Sequence, residues 1–313
     1  MRSGTAEVTA VIVHYRTPEE TARAVRAVNT TAPEADVVVV DNASGDGIRT
    51  RLEREGLRAR VLEEPANRGF GAGCNRGARE SSGALLLFLN SDTEVRPGAV
   101  AALYAALDAD ASAAAAGPRL LDPDGSLQAS IQRRPTPWRI FCESSGLASL
   151  AGGRGPLRGH WKTLEDHARP QAVECLMGAA LLIRRSAFEE VGGFDEAYFL
   201  YAEETDLLTR LARAGHRILF VPGAEVVHVG GASTGGVRFD ELHAGLRRYV
   251  GKFHGPAAAR FASATLTAGN LLRYAAALAT TGPAARERRR RYRAALGRES
   301  RARSGAAGVS PHD

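Results

Sequence analysis

Three short runs constrain this chain more than anything else in it. Val8–Tyr15, Val37–Val40 and Leu85–Leu89 are mostly apolar, rich in β-branched or leucyl side chains, and each stops at polar residues. A strand that is apolar at consecutive positions has both faces covered, as in a sheet with helices packed on each side. Between the runs lie segments with helical signals. Thr17-Pro18-Glu19-Glu20 reads as a helix start, with Thr17 as N-cap, Pro18 at the first helical position and Glu20 completing a capping box. Asp41-Asn42-Ala43-Ser44 opens the next helix, Arg58–Leu62 is a weaker third strand, and Pro97 precedes a helix over Gly98–Leu107. Strand and helix alternating at this spacing predict a parallel α/β sheet with right-handed crossovers.

Sheets of that kind bind ligands beyond the carboxyl ends of their strands. The rule singles out His14, Tyr15, Asp41 and the loop Asn90-Ser91-Asp92. Farther along, Pro118–Gln171 reads as a partly irregular insertion, and Val173–Ile183 as a strand around Gly178. Ser186–Glu189 forms a second capping box, Glu203–Ala214 a helix, and Arg217–Val221 and Glu225–Val229 two closing strands. Beyond Arg238 the chain is rich in Ala and Arg and has no strand signal; Ala257–Thr281 is expected to be helical.

Composition removes several classes. The net charge of +6 invites a nucleic-acid reading, but residues 286–303 hold nine Arg and two Glu, a local +7. The body is therefore near neutral, and nucleic acid is not an expected partner. With 44% hydrophobic residues, wholesale disorder is excluded. Cys74, Cys142 and Cys175 fit neither a zinc spacing nor a disulfide framework, which suits a reducing cytoplasm. The start of the chain lacks the pattern of a secretory signal, and no apolar run is long enough to span a bilayer.

Four groups of residues carry chemistry. Asp92, delivered by a buried strand, is an acidic oxygen ligand for a cation on a diphosphate, or a plain turn cap. Glu203-Glu204-Thr205-Asp206 sets three carboxylates at a helix start beside Tyr198, Phe199 and Tyr201. The helix dipole accounts for Asp206, which with Arg210 also makes an i,i+4 surface pair. Glu203 or Glu204, in a partly apolar pocket, has the surroundings of a general base. His228, before Gly230-Gly231, is either structural or a ligand for cation or phosphate. Asn67-Arg68-Gly69-Phe70-Gly71-Ala72-Gly73-Cys74-Asn75 is a glycine-rich segment preceding a strand, so it is not a dinucleotide fingerprint. It is a flexible loop or a contact for base or diphosphate through Asn67, Arg68, Gly69 and Asn75.

In order and spacing these segments resemble glycosyltransferase family 2, especially its rhamnosyltransferase-like branch. The resemblance runs from about Val8 to Thr234. It rests on Val11–Tyr15, Val39–Ser44, Asn67–Gly71 with Asn75, Asn90–Asp92, Gly178–Ala180, Gly193–Glu196, Glu203–Leu207 and His228. It implies the glycosyltransferase A-type fold and inverting transfer from a nucleoside-diphosphate sugar, with a rhamnose donor favoured. It also implies a catalytic domain over 1–237, split into a nucleotide-sugar half (about 1–117) and an acceptor half (about 118–237). A helical extension (238–296) and a disordered tail (297–313) would follow. Carried over, Asp41 would contact the base near His14, Tyr15 and Asn75, and Arg68 the diphosphate, with Asn67, Gly69, Asn90, Ser91 and Gly178 lining the donor site. Asp92 and His228 would hold Mg²⁺ or Mn²⁺, and Glu204, with Glu203 as the alternative, would be the base.

The sequence departs from the family pattern in three places. His14 and Arg16 stand where Asn is frequent, Asn90-Ser91-Asp92 lacks the first acid of the familiar Asp-any-Asp, and Glu204 replaces an Asp. A glycan, lipid-linked saccharide or secondary metabolite is the expected acceptor. Peripheral contact of Arg286–Arg303 with an anionic inner membrane face is expected too. Two other readings differ in class. A sugar nucleotidyltransferase would carry a glycine-rich basic loop after its first strand, where this chain has His14-Tyr15-Arg16-Thr17-Pro18. A non-enzymatic protein would bind anionic surfaces through the Arg-rich tail alone.

Overall fold

The apolar runs become the inner strands of one sheet. In the computed structural model, β1 (Val8–His14), β2 (Asp36–Asp41), β3 (Arg60–Glu63) and β4 (Leu85–Asn90) pair in parallel in the order β3-β2-β1-β4. The described residues are 7–152, 155–161, 166–231, 238–282, 286, 289, 290 and 292. The chain divides into two units, Met1–Arg134 with Glu165–Gly236, and Pro135–Leu164 with Val237–Asp313. Most of the Arg-rich segment 286–303 and all of 297–313 lie outside the described residues, as do Ala232, Ser233 and Thr234.

Alternation along the strands explains the two-sided burial. Val8, Ala10 and Ile12 of β1 and Leu85, Leu87 and Leu89 of β4 enter one core, which includes residues of α1 (Pro18–Thr31) and α2 (Ile48–Arg54). Val11, Val13, Leu86 and Phe88 enter the other, against α3 (Phe70–Arg79). Side chains two apart share a face, so a run apolar at every position needs cover on both.

The sheet is mixed rather than wholly parallel. Beyond β4 it continues through β5 (Thr93–Val95), the helix α4 (Ala99–Asp108), which joins the first core, and β6 (Ala113–Leu121). Then come β7 (Leu127–Gln128), β8 (Ile131–Gln132), β9 (Gln171–Ala172), β10 (Cys175–Leu176), β11 (Ala180–Arg184) and β12 (Arg217–His228). The order is β3-β2-β1-β4-β11-β6-β12-β5, with β11 antiparallel to both neighbours and β5 antiparallel to β12. The Ala-rich β6 carries no β-branched signal and is a strand because its neighbours cover it. The two expected closing strands are one, since Pro222-Gly223 only shifts the register between Val221 and Glu225. The expected strand over Val173–Ile183 is two, β10 and β11, separated around Gly178.

Neither capping box forms. Thr17 precedes α1 but makes no cap bond, and its hydroxyl donates instead to Ser91 Oγ at 3.0 Å. Helix α7 (Arg185–Glu190) starts two residues early, with Arg184 at the cap position, so Ser186 lies inside it. Helix α8 (Glu203–Arg213) buries Leu207, Leu208 and Leu211 in the second core. In the second unit, α5 (Pro137–Ser145) does have a side-chain cap: Thr136 accepts from Arg139 N at 3.2 Å. With α6 (Leu147–Leu150), α9 (Phe239–His254) and α10 (Pro256–Leu278) this unit is helical. Asn270 of α10 meets His243 of α9 at 3.3 Å, and Arg273 donates to the Glu143 carbonyl at 3.0 Å. Among the described residues no helix is long and apolar enough to cross a membrane.

Candidate active site

The register of β1 fixes the first side of the site. His14 pairs with Asp41 of β2 and Val13 with Asn90 of β4, so Asp41 and Asn90 flank the carboxyl end of β1. The loop after β2 folds onto the loop after β1. Asn42 N donates to the His14 carbonyl at 3.0 Å, Ser44 N to Asp41 Oδ1 at 2.9 Å, and Arg16 N to Ser44 Oγ at 3.0 Å. Arg16 and Ala43 take left-handed backbone, φ 54° and 60°, and the Arg16 guanidinium lies 5.1 Å from the centre of the Tyr15 ring. His14 is fully buried with both ring nitrogens engaged, Nε2 3.0 Å from Asp46 Oδ1 and Nδ1 2.8 Å from Thr21 Oγ1. It ties the Asp41–Gly47 loop to α1 rather than turning a nitrogen to the site.

A second register brings in residues from far along the chain. β5 and β12 pair His228 with Thr93, and Val229 N donates to the Asp92 carbonyl at 3.0 Å. His228 Nε2 thereby lies 3.5 Å from Asp92 Oδ1 and 3.3 Å from Asn90 Nδ2. Asp92 and His228 are 8% and 7% exposed, which shields the pair from bulk water. A carboxylate and an imidazole fit a divalent cation whose other ligands come from a diphosphate. Among the described residues no group of three or more His, Cys, Asp or Glu is placed to hold a metal. Asn90 contributes a neutral amide where a further acid would raise the negative charge.

The carboxylate pair sits at the start of α8, behind a strained turn. Tyr201 and Ala202 have φ of 68° and 69°, a conformation costly for residues with a Cβ. The glycine-rich loop buttresses this turn. Phe70 N donates to the Phe199 carbonyl at 3.1 Å, Asn67 Oδ1 accepts from Gly69 N at 2.9 Å, and Asn42 Nδ2 donates to the Gly69 carbonyl at 3.1 Å. A Cβ on Gly69 would lie 2.2 Å from the Phe199 oxygen, so only glycine allows the approach.

Glu203 and Glu204 are not equivalent. Glu203 is 5% exposed, and its Oε2 has no hydrogen-bond partner among the described residues. Burial, reinforced by the Glu204 charge, pushes its carboxyl well above the usual range. Glu204 is only partly buried. Its carboxyl is also raised by burial, but its own backbone amide and those of Thr205, Gly178 and Ala202 oppose the shift. Burial thus raises both carboxyls, and it is on Glu204 that backbone amides gather to oppose the shift. Gly178 makes room for that side chain, since a Cβ there would lie 3.0 Å from Glu204 Cβ and Cγ. The next carbonyl, Ala179, accepts from Asn90 N at 2.9 Å. A path thus runs from His228 through Asn90 to the Gly178-Ala179 backbone, against which Glu204 lies.

Other candidates are occupied elsewhere. Asn75 accepts from Phe194 N and donates to the Phe194 carbonyl, both at 2.9 Å, and donates to Glu196 Oε1 at 3.0 Å. Arg68 pairs with Glu196 Oε2 at 2.6 Å. Both hold the Phe194–Glu196 loop to the glycine-rich segment. Asp206 is not half of a surface pair, because it is 0% exposed and bound to Arg210 Nε at 2.6 Å. Sequence reasoning missed Asp46 and Gln128 and gave Glu196 no role beyond its place in the Gly193–Glu196 segment, each being polar and in a loop or short strand. Only the strand-end position of His228 hinted that its second nitrogen needed a partner, which proves to be Gln128 Oε1 at 2.7 Å.

Comparison with known proteins bears on this geometry. The sequence model described as glycosyl transferase family 2 matches residues 9–192, and that of glycosyl transferase family group 2 matches 157–302. An N-acetylglucosaminyl-diphospho-decaprenol L-rhamnosyltransferase of Mycobacterium tuberculosis is 37% identical over 216 residues, covering 64% of this chain and 68% of the relative. The solved mannosyltransferase PcManGT of Pyrobaculum calidifontis, in complex with GDP-Man and Mn²⁺, superposes with a TM-score of 0.57 at 17% identity. That match covers 94% of this chain and 84% of the other. GalNAc-T7 with UDP, GalNAc and Mn²⁺ also gives 0.57 at 18% identity, over 78% of this chain and 47% of its own. These structural likenesses establish a shared fold, the glycosyltransferase A-type arrangement.

Proposed function

The chain belongs to glycosyl transferase family 2, and from that premise we propose that it is an inverting rhamnosyltransferase. On this reading it moves the sugar of a nucleoside-diphosphate donor, dTDP-rhamnose by preference, onto a hydroxyl of a lipid-linked saccharide. The donor and acceptor classes are inferred from the mycobacterial relative, whose name gives a rhamnosyl transfer to N-acetylglucosaminyl-diphospho-decaprenol.

The single observation that supports the mechanism is the different exposure of the two carboxylates, Glu203 covered and Glu204, beside Gly178, partly open to solvent. Glu204, partly open to solvent, takes the proton of the acceptor hydroxyl. The oxygen then forms its bond to the anomeric carbon on the face opposite the diphosphate, whose C–O bond breaks, so the configuration inverts. Asp92 and His228 would hold a Mg²⁺ or Mn²⁺ ion, which when bound offsets the charge gathering on the departing diphosphate. Asp41 and the Asn42–Ser44 turn shape the place for the nucleotide, with His14 holding that turn from behind. The charge of +7 over residues 286–303 would draw the enzyme to an anionic membrane carrying the acceptor.

Glu204→Gln tests the assignment. General-base help is worth about 10²–10⁴ in rate, so turnover should fall by that order while nucleoside-diphosphate affinity stays near wild type. Near-normal turnover in the variant would refute Glu204 as the base.

A further inference from the structure

The mechanism uses one nitrogen of His228 and leaves open what the other does. Its surroundings form a short relay of hydrogen bonds whose direction is set at one end. Asp122 is a carboxylate and can only accept, so the amide group facing its Oδ1 at 2.7 Å is the Gln128 NH₂. That orientation turns Gln128 Oε1 toward His228 Nδ1, at 2.7 Å. Two acceptors cannot face one another at that distance, so Nδ1 carries the proton. In the neutral ring Nε2 then has a lone pair, into which Asn90 Nδ2 points at 3.3 Å.

The scaffold suits a device of this kind. Gln128 pairs with Leu120 in the β6–β7 hairpin, and β6 is hydrogen-bonded to β12, which ends at His228. The hairpin turn is closed by Asp122 N to the Ser126 carbonyl and Gly125 N to the Asp122 carbonyl, both 2.8 Å. Gln128 Nε2 also lies 3.3 Å from the His228 carbonyl, so one amide engages the ring and the backbone of the same residue.

We propose that Gln128, oriented by Asp122, is a positioning residue that fixes His228 as the Nδ1-protonated tautomer and presents the Nε2 lone pair on the Asp92 side of the site. The consequence is a choice between two roles. A neutral ring protonated at Nε2 would donate to a phosphate oxygen, whereas a ring protonated at Nδ1 is a cation ligand. Residues that hold a ligating histidine through its other nitrogen typically govern metal affinity by 10–100-fold. The inference rests on the reading that Asp92 and His228 hold the divalent cation.

The test is ring ¹⁵N-histidine NMR on the full chain without metal, with His228 assigned through His228→Gln, alongside titration with Mn²⁺ alone. An unrestrained neutral histidine favours the proton on Nε2, so a wild-type His228 protonated at Nδ1 is the diagnostic result. In Gln128→Leu the Nδ1–H signature should be lost and Mn²⁺ affinity should fall about 10–100-fold. The double variant Asp122→Asn, Gln128→Glu keeps an acceptor for Nδ1–H and a donor behind it, so both readouts should recover. It also stands in if the leucine variant fails to fold. Wild-type His228 protonated at Nε2, or a Gln128→Leu protein with an unchanged tautomer, would overturn the proposal. A wild-type protein that has the Nδ1–H ring and takes no Mn²⁺ would instead sink the cation reading and leave the tautomer assignment standing.

Discussion

Glu203 and Glu204 are adjacent in the chain yet meet different surroundings, and pH should reveal it. Burial holds the folded-state pKa of Glu203 well above its ordinary 4.5. Above pH 4.5 the folded protein therefore binds more protons than the unfolded chain, so this group lowers stability as pH rises from about 4.5 toward its raised value. Glu203→Gln removes that slope. In urea denaturation the variant should match the wild type near pH 4 and become the more stable of the two by pH 7 to 8. Stability curves that run parallel across that range would count against a buried, protonated Glu203. The sequence marked this pair as special from its acidic cluster and flanking aromatics. The residues alone left the two unranked, and only the family resemblance put Glu204 first, because helix periodicity places both in the first turn and packing decides which one is covered.

At the scale of elements, the glycine-rich segment was legible as unusual but not in its purpose. It reads as a flexible loop or as a contact for base or diphosphate, whereas much of it is the face of α3 laid against β1. Cβ atoms at Gly73 and Gly77 would meet Val13 and Val11 side chains at 2.8 and 2.3 Å. Gly69 has φ of 91° and abuts the Phe199 carbonyl, which steadies the strained Tyr201-Ala202 turn before Glu203. Gly69→Ala should therefore cost at least about 2 kcal/mol in urea denaturation, from backbone strain and a contact that cannot relax. A change below about 0.5 kcal/mol would show that the loop is not seated as described. The capping boxes teach the converse. Thr17 and Ser186 have the right local spelling, but a tertiary partner for Thr17 and an earlier start for α7 displace the caps.

For the molecule as a whole, the residues proposed to contact nucleotide and cation lie in one folded unit, so the two ligands should stabilise it together. A ligand at about 100 times its Kd raises stability by about 2.7 kcal/mol. In a thermal-shift series dTDP with Mn²⁺ should raise the melting temperature more than dTDP alone, and Asp92→Asn should erase the Mn²⁺-dependent part. Equal shifts with and without Mn²⁺ would remove Asp92 and His228 from the role of cation ligands. The site residues span much of the chain, from His14 to His228, so no local segment could act alone.

The inner strands, the faces their side chains take, and the polar residues that stop each strand at the carboxyl edge of the sheet are all legible in the sequence. These follow from local periodicity and turn chemistry, which depend on neighbours a few positions away. Tertiary structure alone decided that His14 and Asn75 spend their polar atoms on Asp46, Thr21 and Phe194, that Glu203 is covered while Glu204 is reached, and that Gln128 stands behind His228. Those pairings span from 7 to 119 residues and arise from sheet register and loop seating. Neither is written in the pattern of any one segment.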